Sequence, residues 1–293
     1  MTSPFVRRNR LAIELRALRE QRGMTAEDLS KQIFRSRMTI SKLENARCRP
    51  QIGDVLKILD ALGVEDDEWR RILGIARDAA ERGWWDAFGD AMGARQRMYA
   101  DIESGADTIR EYNQFTIPGF LQTPDFIEFI IEMALAEGES SFTPDRLFEA
   151  RLRRQEQILG RSGPRYEVIL DELLIRRPTA PAPVMLRQLR SVIDVAQTHP
   201  RITVLVLPLV ADFTGRLLPK SAFFLYTFPD PADPPMVVVD TVSADIVHTT
   251  DKEFMRYNQR YEHLRQASLS GAASLGLLID AADALENGMT SSP

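Results

Sequence analysis

The spacing of apolar residues changes along the chain near residue 164. Before this point, apolar residues recur at helical intervals. In segment 9–22, for example, Leu11, Leu15 and Leu18 follow one another at steps of four and three, which places them on one helix face. After this point the chain contains short runs of valine, isoleucine and leucine, which are typical of buried strands. The pattern predicts an α-helical N-terminal part and a C-terminal part that contains a sheet.

Five short helices are predicted near the N-terminus. Thr25 is an N-cap candidate, because Asp28 follows three residues later and completes a carboxylate version of the capping box. Glycines at positions 23 and 63 mark helix ends. The five predicted helices cover residues 9–22, 25–33, 36–45, 51–64 and 65–83. Such a series predicts a compact all-α domain over residues 1–82.

The next segment, residues 83–160, is also predicted to be mostly helical. Its clearest element is "TPDRLFEARLRRQEQIL", in which Thr143 is the expected N-cap and Pro144 the first helical residue. The sequence therefore predicts a helical connecting or partner-binding region here.

The pattern after residue 164 predicts a βαβ unit. Strand-like runs at 165–175 and 202–210 flank a helical pattern at 183–197, and this order is typical of parallel strands. Two further strand candidates, "SAFFLYTFP" and "MVVVDTVSADIV", follow. Two helices are expected at 251–268 and 272–286.

These elements define the expected fold class, which is α+β with several domains. An N-terminal five-helix domain is followed by a helical segment and by a mixed α/β domain over residues 161–286. Residues 287–293 are expected to form a disordered tail, because the ends of domains are often poorly ordered.

The composition is that of an ordinary globular protein, with 44% hydrophobic and 27% charged residues. A single cysteine, Cys48, excludes an intrachain disulfide and suits a reducing compartment. We find neither a secretory signal nor an 18-residue apolar run. The sequence therefore predicts a cytoplasmic protein with no membrane segment.

Charge is distributed unevenly along the chain. Residues 1–64 contain 13 Lys and Arg and 7 Asp and Glu, which gives a net charge of +6. Residues 65–293 contain 24 and 35 of these residues, which gives −11. This split indicates a polyanion-binding head on an acidic body, although short segments also fluctuate in charge by chance.

Residues 25–45 contain two short predicted helices separated by a turn, which is the helix-turn-helix arrangement. The second helix would fit the major groove of DNA and read base edges with its outward side chains. Its predicted outward residues are Ser36, Arg37, Met38, Ser41, Lys42 and Asn45. Its predicted neighbours along the DNA backbone are Arg35, Arg47 and Arg49. The buried face is predicted to contain Leu29, Ile33, Ile40 and Leu43.

The motif T-x-E-x-L-(x)10-I-S-K-L-E-N runs through this segment. Residues 11–63 thereby resemble the Cro/C1-type (XRE-type) helix-turn-helix family, and most of all its phage-repressor members. The resemblance implies a lambda-repressor-like fold that binds a palindromic double-stranded operator as a homodimer. It also implies base contacts from Arg37, Met38 and Lys42 and phosphate contacts near Thr25 and Asn45, and we add Thr39 to these candidate DNA-binding residues. A buried ion pair between Arg19 and Glu44 is implied as well.

The sequence departs from this family at three positions. Ala26 replaces a glutamine that usually binds phosphate, and Ser30 replaces a small alanine. Phe34 stands where the turn commonly has glycine, and phenylalanine does not easily adopt a positive φ. We therefore expect a variant turn and a changed angle of the second helix.

A second resemblance extends over most of residues 10–268. The clusters "RGWWDAF", "YADIESGADTIREYNQFTIPGFLQTPDF", "RLRRQEQIL", "VILDELLIRRP" and "FPDP" occur in order. Together they resemble the WhiJ-like group of actinobacterial regulators, in which an XRE head precedes a large C-terminal domain. The resemblance implies a small protein partner encoded nearby, in an arrangement likened to antitoxin and toxin. The excess of arginine over lysine, 32 against 5, fits a GC-rich genome.

Several other residues are candidates for chemistry in the C-terminal part and around Cys48. Trp84 and Trp85 either line a ligand or partner site or seal a junction between domains. Asp171 and Glu172 either form an acid–base pair or are structural, on opposite faces of a strand or in a capped helical turn. Arg176 and Arg177 beside them are candidates for contact with a ligand or partner. Cys48, between two arginines, is either a redox-sensitive thiol or an ordinary surface residue.

The sequence contains no motif for catalysis, metal binding or cofactor binding. The three histidines, His199, His248 and His263, lack metal-ligand spacing, and phosphate-binding and nucleophile motifs are missing. We therefore expect a nucleoid-associated transcription regulator that is not an enzyme. Its acidic domain would sense a small-molecule effector or a small partner protein. The alternative is an antitoxin-type module that sequesters a partner and binds DNA for autoregulation.

Overall fold

The computed structural model describes residues 2–138, 142–218, 220–241 and 245–290. Its contacts divide the chain into two compact units. The first unit comprises Met1–Ala87, Arg97–Ala106 and Phe228–Pro234, and the second comprises Phe88–Gln96, Asp107–Thr227 and Pro235–Pro293. The predicted α+β class with a helical N-terminal part is confirmed. The domain boundaries at residues 82 and 160 stay predictions.

Five α-helices form the bulk of the first unit. They are α1 (Pro4–Gln21), α2 (Ala26–Gln32), α3 (Arg37–Leu43), α4 (Ile52–Ala61) and α5 (Asp66–Ala80). All five were predicted from the sequence. However, α1 begins five residues before the predicted start, where the Ser3 hydroxyl accepts a hydrogen bond from the Val6 amide. Arg7 and Arg10 in this part of the helix are buried.

The five helices enclose one apolar core. Leu11 and Leu15 of α1 pack with Ile40 of α3, Leu59 of α4 and Ile72 of α5, and each of these side chains is almost fully buried. Burial of such side chains supplies most of the favourable free energy of folding. The core therefore fixes α3 to the other helices through one face only and leaves its other face to solvent.

Two later segments of chain complete the first unit. The C-terminal half of α6 (Gly93–Ser104) supplies Asp101, whose carboxylate accepts hydrogen bonds from the Ser3 hydroxyl, the Phe5 amide and the Arg8 guanidinium. The loop Phe228–Pro234 supplies two further carboxylates, which are described below with their partners on α1. The first unit thus depends on residues far outside the N-terminal segment.

The second unit is built on a six-stranded sheet. Its strands are β1 (Thr108–Asn113), β2 (Arg165–Asp171), β3 (Ile202–Leu207), β4 (Phe223–Thr227), β5 (Met236–Val239) and β6 (Ile246–His248). Their spatial order is β3-β2-β1-β4-β5-β6. Strands β1, β2 and β3 are parallel to one another, and the remaining pairs are antiparallel.

The described residues of segment 83–160 are mostly helical, as predicted, but they also contain strand β1, which the sequence did not predict. The strand lies in the middle of the sheet, where Ile109 and Tyr112 are fully buried. Its polar residues Arg110 and Glu111 obscured a six-residue strand between two helical patterns. A second correction concerns "MVVVDTVSADIV", which forms β5 and β6 rather than one strand; residues 242–244 between them lie outside the described part.

Six α-helices lie wholly within the described part of the second unit. They are α7 (Pro124–Ala136), α8 (Pro144–Leu159), α9 (Glu172–Arg176), α10 (Ala182–Thr198), α11 (Asp251–Ala267) and α12 (Gly271–Thr290). Because α10 connects the parallel neighbours β2 and β3, the predicted βαβ unit is confirmed. Tyr261 and Leu264 of α11 pack on one sheet face. On the other face, Phe120 of a short 3-10 helix (Gly119–Leu121) packs edge-on against Tyr166.

The C-terminal helix corrects the prediction of a disordered tail over residues 287–293. Helix α12 continues to Thr290, so residues 287–290 are helical, whereas residues 291–293 lie outside the described part. Among the described residues, no single helix is long and apolar enough to span a membrane. Helices α11 and α12 reach the necessary length and apolar composition only when they are taken together, and a bend of 71° separates them.

Candidate nucleic-acid interface

Local hydrogen bonds and burial determine how α3 is presented. Ser36 is its N-cap, with a side-chain oxygen that accepts a hydrogen bond from the Thr39 amide at 3.2 Å. Ile40 and Leu43 are buried beneath the helix. Preceding α2 has the predicted capping box, in which Thr25 and Asp28 bond each other's backbone amides. These contacts hold α3 with its polar side outward, as the helix-turn-helix pattern predicted.

The turn between α2 and α3 differs from the expectation for Phe34. Phe34 adopts a φ of +55°, so the turn has the conformation that glycine favours, although glycine is missing. This conformation costs a non-glycine residue about 1–2 kcal/mol. Backbone bonds from the Phe34 amide to Lys31 O and from the Arg35 amide to Ser30 O maintain it. The expected variant turn is therefore wrong, and the Phe34 side chain is 89% exposed instead.

The two residues of the implied ion pair lie together. Arg19 donates from Nε and Nη2 to the two carboxylate oxygens of Glu44, at 2.7 and 2.8 Å. Arg19 also donates to Met24 O at 2.8 Å, and the hydrogen bond with Glu44 raises the pKa of the guanidinium. Both side chains are largely buried. Glu44 is thus engaged inside the protein, and its charge does not oppose an anion at the surface of α3.

The outward side of α3 and the residues just after it carry exposed cationic side chains. Within the described part of the chain, Arg37, Lys42 and Arg47 form neither a hydrogen bond nor an ion pair through their side chains. Met38 beside them is 65% exposed, and Ser41 is exposed as well. This surface combines unpaired cations with hydrogen-bonding and apolar groups, which is the chemistry that recognises both phosphates and base edges.

Four other predicted contact residues have intramolecular partners. Arg35 donates to Asp54 of α4 at 2.7 Å, and Arg49 donates to Asp86 at 3.0 and 3.2 Å. The hydroxyl of Thr25 donates to Asp28 at 2.6 Å. The side chain of Asn45 donates to Ser41 O at 2.6 Å. The structure thus places the unpaired charges at Arg37, Lys42 and Arg47, while Arg35 and Arg49 link α3 to neighbouring segments.

Cys48 has the environment of a structural residue rather than of a redox-sensitive thiol. Its side chain is half-buried and packs against the apolar core of the first unit. Burial raises the pKa of the thiol, although Lys42 and Arg8 act in the opposite direction. Because the thiolate is the reactive form, this shift favours the structural alternative, and the redox alternative stays a prediction.

The remaining candidates do not assemble into a catalytic site. Trp85 is buried in the first unit, with Trp84 edge-on against it at 5.9 Å between ring centroids; a role as a seal between domains stays a prediction. Asp171 caps α9 by accepting a hydrogen bond from the Leu173 amide. Of the two readings for this segment, the capped helical turn is therefore the one found.

Charged residues around α9 serve the local structure. Arg176 donates to Glu172 at 2.5 Å, and Glu172 also accepts from the Leu209 amide at 2.8 Å. Burial acts to raise the pKa of Glu172, but these two hydrogen bonds hold it below its usual value. Arg177 is exposed next to this pair. Among the described residues, no group of three or more His, Cys, Asp or Glu side chains is arranged to hold a metal ion.

Sequence reasoning missed a cluster of ion pairs at the other end of α1. Arg10 donates to Asp230 at 2.5 Å and to Asp233 at 3.3 Å, and Arg7 lies 3.3–3.5 Å from Asp230, Asp233 and Asp78. The "FPDP" cluster was a sign of this contact, but the sequence provides no means of pairing it with arginines about 220 residues away.

Together, the capped helices, the turn and the exposed face of α3 define a helix-turn-helix DNA-binding domain. A family model described as a helix-turn-helix domain matches residues 10–72. A second model, described as a domain of unknown function (DUF5753), matches residues 96–280. Because this second match covers more than half of the chain, the protein belongs to the DUF5753 family. No curated protein and no solved structure matches the chain. The class is thus a helix-turn-helix DNA-binding regulator whose C-terminal domain has no assigned role.

Proposed function

We propose that the protein is a cytoplasmic, nucleoid-associated transcription regulator that binds a palindromic operator as a homodimer, with a head of the Cro/C1 type. One observation carries this proposal. Among the residues that the structure describes, Arg37 and Lys42 on the exposed face of α3 and Arg47 just after the helix have no side-chain hydrogen bond or ion pair, while Ile40 and Leu43 fix the other face of the helix. Unpaired cations on a rigid helix bind a polyanion without first breaking contacts of their own.

The dimensions of α3 support major-groove binding. An α-helix with its side chains has a diameter of about 10–12 Å, which fits the major-groove width of about 12 Å, and the seven residues of α3 form about two turns. Arg37, in the first turn, would then reach base edges, and Lys42 would reach either a guanine or a phosphate. Two heads separated by one helical turn of DNA, ~34 Å, would bind inverted half-sites.

The C-terminal domain is proposed to sense a signal, either a small molecule or a small protein. The ion pairs of Arg7 and Arg10 with Asp230 and Asp233 support this role. They link α1, which also holds α3 through Arg19, to the connection between β4 and β5. A change in the position of that connection would therefore act on α1 directly. We propose that the domain is neither an enzyme nor dependent on a cofactor.

An antitoxin-type module that sequesters a small partner is the second candidate function. It is favoured by large apolar side chains that the second unit exposes near the ends of β1 and β3. Phe115, Leu209 and Val210 are 65%, 59% and 91% exposed, and they follow the carboxyl ends of the parallel strands β1 and β3, which lie at the same edge of the sheet. Exposed apolar groups that form a patch often mark protein interaction sites. The WhiJ-like resemblance is consistent with this candidate. Co-purification of the full chain with the product of the adjacent gene tests it, and a triple change of these residues to serine should abolish the complex.

Selection of duplexes from a random pool by the full-length chain tests the leading proposal. We expect enrichment of inverted half-sites and an affinity that falls steeply with salt, because bound phosphates release counterions. The matched control is Arg70→Ala, which removes an exposed charge from α5 and should leave the selection unchanged. A pool that shows no enrichment, or an affinity insensitive to salt, would contradict the proposal.

A further inference from the structure

Arg16 of α1 lies at the C-terminal end of α3. Its Nη2 atom donates to Glu44 O at 2.5 Å and to the side-chain oxygen of Asn45 at 3.0 Å. The side chain is 44% exposed. Arg16 is therefore joined to α3 by two hydrogen bonds while part of its guanidinium faces solvent.

The charge of Arg16 is only weakly compensated. Glu44 is the nearest carboxylate, at 3.9 Å from Arg16 Nε, but its two oxygens already accept hydrogen bonds from Arg19. Within the part of the chain that the structure describes, Arg16 Nη1 has no acceptor. Arginine carries five N–H donors, so Arg16 keeps donors available for an external anion.

The backbone at this end of α3 explains why Arg16 is held there. The Ala46 and Arg47 amides donate to Leu43 O and Lys42 O, which satisfies the last carbonyls of the helix. Glu44 O lies beyond them and accepts from Arg16 instead. Asn45 is oriented by the same arrangement, since its amide nitrogen donates to Ser41 O. The guanidinium and the Asn45 amide are thus fixed next to each other.

We propose that Arg16 is a further DNA-contact residue, which together with Asn45 holds one backbone phosphate at the C-terminal end of α3. This inference rests on the proposed DNA-binding function and specifies a contact within that site. When the N-terminal turn of a seven-residue helix meets base edges, its other end lies about 9–11 Å away, beside one strand of the groove. Guanidinium groups bind phosphate oxygens through paired N–H donors.

The salt dependence of binding to a labelled random-sequence 30-base-pair duplex tests this proposal in the full-length chain. Loss of one phosphate contact lowers the slope of log K against log salt by about 0.9. We expect this reduction in Arg16→Gln, which retains a hydrogen-bond donor for Glu44 O but lacks the charge. We expect Arg16→Lys to retain the wild-type slope. Arg70→Ala is the matched control for loss of an exposed charge.

Three outcomes are distinguishable. A shallower slope in Arg16→Gln, with unchanged slopes in Arg16→Lys and Arg70→Ala, supports the phosphate contact. A wild-type slope in Arg16→Gln overturns it and leaves Arg16 as a residue that only positions α3. If the wild-type chain itself does not bind the duplex, the proposed DNA-binding function fails, and this inference fails with it.

Discussion

The two ends of α1 support two regions that differ in how they are built. At its C-terminal end, Arg19 pairs with Glu44, only 25 residues away, and stabilises the surface that α3 forms. At its N-terminal end, Arg10 pairs with Asp233, 223 residues away, in a cluster formed by Arg7, Arg10, Asp230 and Asp233, which we call the α1 ion-pair cluster. The surface depends on local contacts, whereas the cluster depends on the whole chain.

This difference separates binding from stability. Side chains on the outer face of α3 are exposed and have few partners, so their replacement should change DNA affinity and leave folding intact. Arg7, Arg10 and Asp233 of the α1 ion-pair cluster are buried, so removal of both arginines should leave the charge of Asp233 uncompensated inside the protein. Helix α1 thus supports both the exposed face of α3, where replacements should affect DNA binding, and the α1 ion-pair cluster, where replacements should affect stability.

The largest expected effect is a loss of stability on replacement of residues in the α1 ion-pair cluster. Replacement of Arg7 and Arg10 together by methionine should lower the free energy of unfolding by about 3–5 kcal/mol, because Asp233 then stays buried without either of its two cations. Arg10 and Asp233 side chains are only 9% and 5% exposed. Urea denaturation of the full chain measures the change. Arg70→Met on α5, which breaks an exposed pair, should cost no more than about 1 kcal/mol, and equal losses in the two variants would erase the distinction.

The second prediction concerns the exposed face of α3. Arg37→Ala should weaken binding to the selected operator by about 1–3 kcal/mol, because a bidentate base contact is lost. Its unfolding free energy should stay within about 0.5 kcal/mol of wild type, as expected for an exposed side chain that has no hydrogen-bond or ion-pair partner among the described residues. Parallel titrations with the operator and with random duplex measure the effect. An equal loss on both duplexes would mean that Arg37 contacts phosphate only.

The third prediction concerns the strained turn. Phe34→Gly should raise the free energy of unfolding by about 0.5–1 kcal/mol, because relief of the positive φ gains more than glycine loses in entropy. Phe34→Ala is the matched control, since it retains a Cβ atom and therefore the strain. Thermal unfolding of both variants measures the difference. Stabilisation of similar size in Phe34→Ala would show that the exposed ring, and not the backbone, was responsible.

The smallest expected effect is a pH dependence. The hydrogen bond from Arg71 lowers the pKa of Glu14 in the folded state. On acidification the carboxylate of Glu14 is therefore protonated at a higher pH in the unfolded chain than in the folded state. The stabilisation is present above about pH 4.3, the ordinary glutamate pKa, and is lost as the pH falls further. The pair is partly exposed, so its contribution should be at most about 1 kcal/mol. Glu14→Gln should lose this part of the pH profile between pH 6 and 3, and an unchanged profile would contradict the assignment.

Sequence alone anticipated the local features of this protein and missed the distant ones. The capping box of Thr25 and Asp28, the buried face of α2 and α3, and the βαβ unit follow from spacing within about 45 residues. Strand β1 was missed because its polar residues fit a helical context and its partners β2 and β4 lie far along the chain. The pairing of Arg7 and Arg10 with Asp230 and Asp233 was not predicted, because nothing in their neighbourhood reveals carboxylates more than 200 positions later.

Phe34 shows a different limit of sequence reasoning. A propensity argument favoured a variant turn, because phenylalanine rarely adopts a positive φ. The packing of Leu29, Ile33 and Ile40 on both sides of the turn is worth more than the strain at one residue. Tertiary contacts therefore determine this turn against its local preference.

Methylation interference tests most directly whether α3 lies in the major groove of DNA with Arg37 in contact with base edges. Dimethyl sulfate modifies guanine N7 in the major groove and adenine N3 in the minor groove of the selected operator. We predict that methylated guanines in each half-site prevent binding of the full-length chain, and that Arg37→Ala loses its sensitivity at one of them. Binding that tolerates N7 methylation throughout the operator and responds only to adenine N3 would contradict the account.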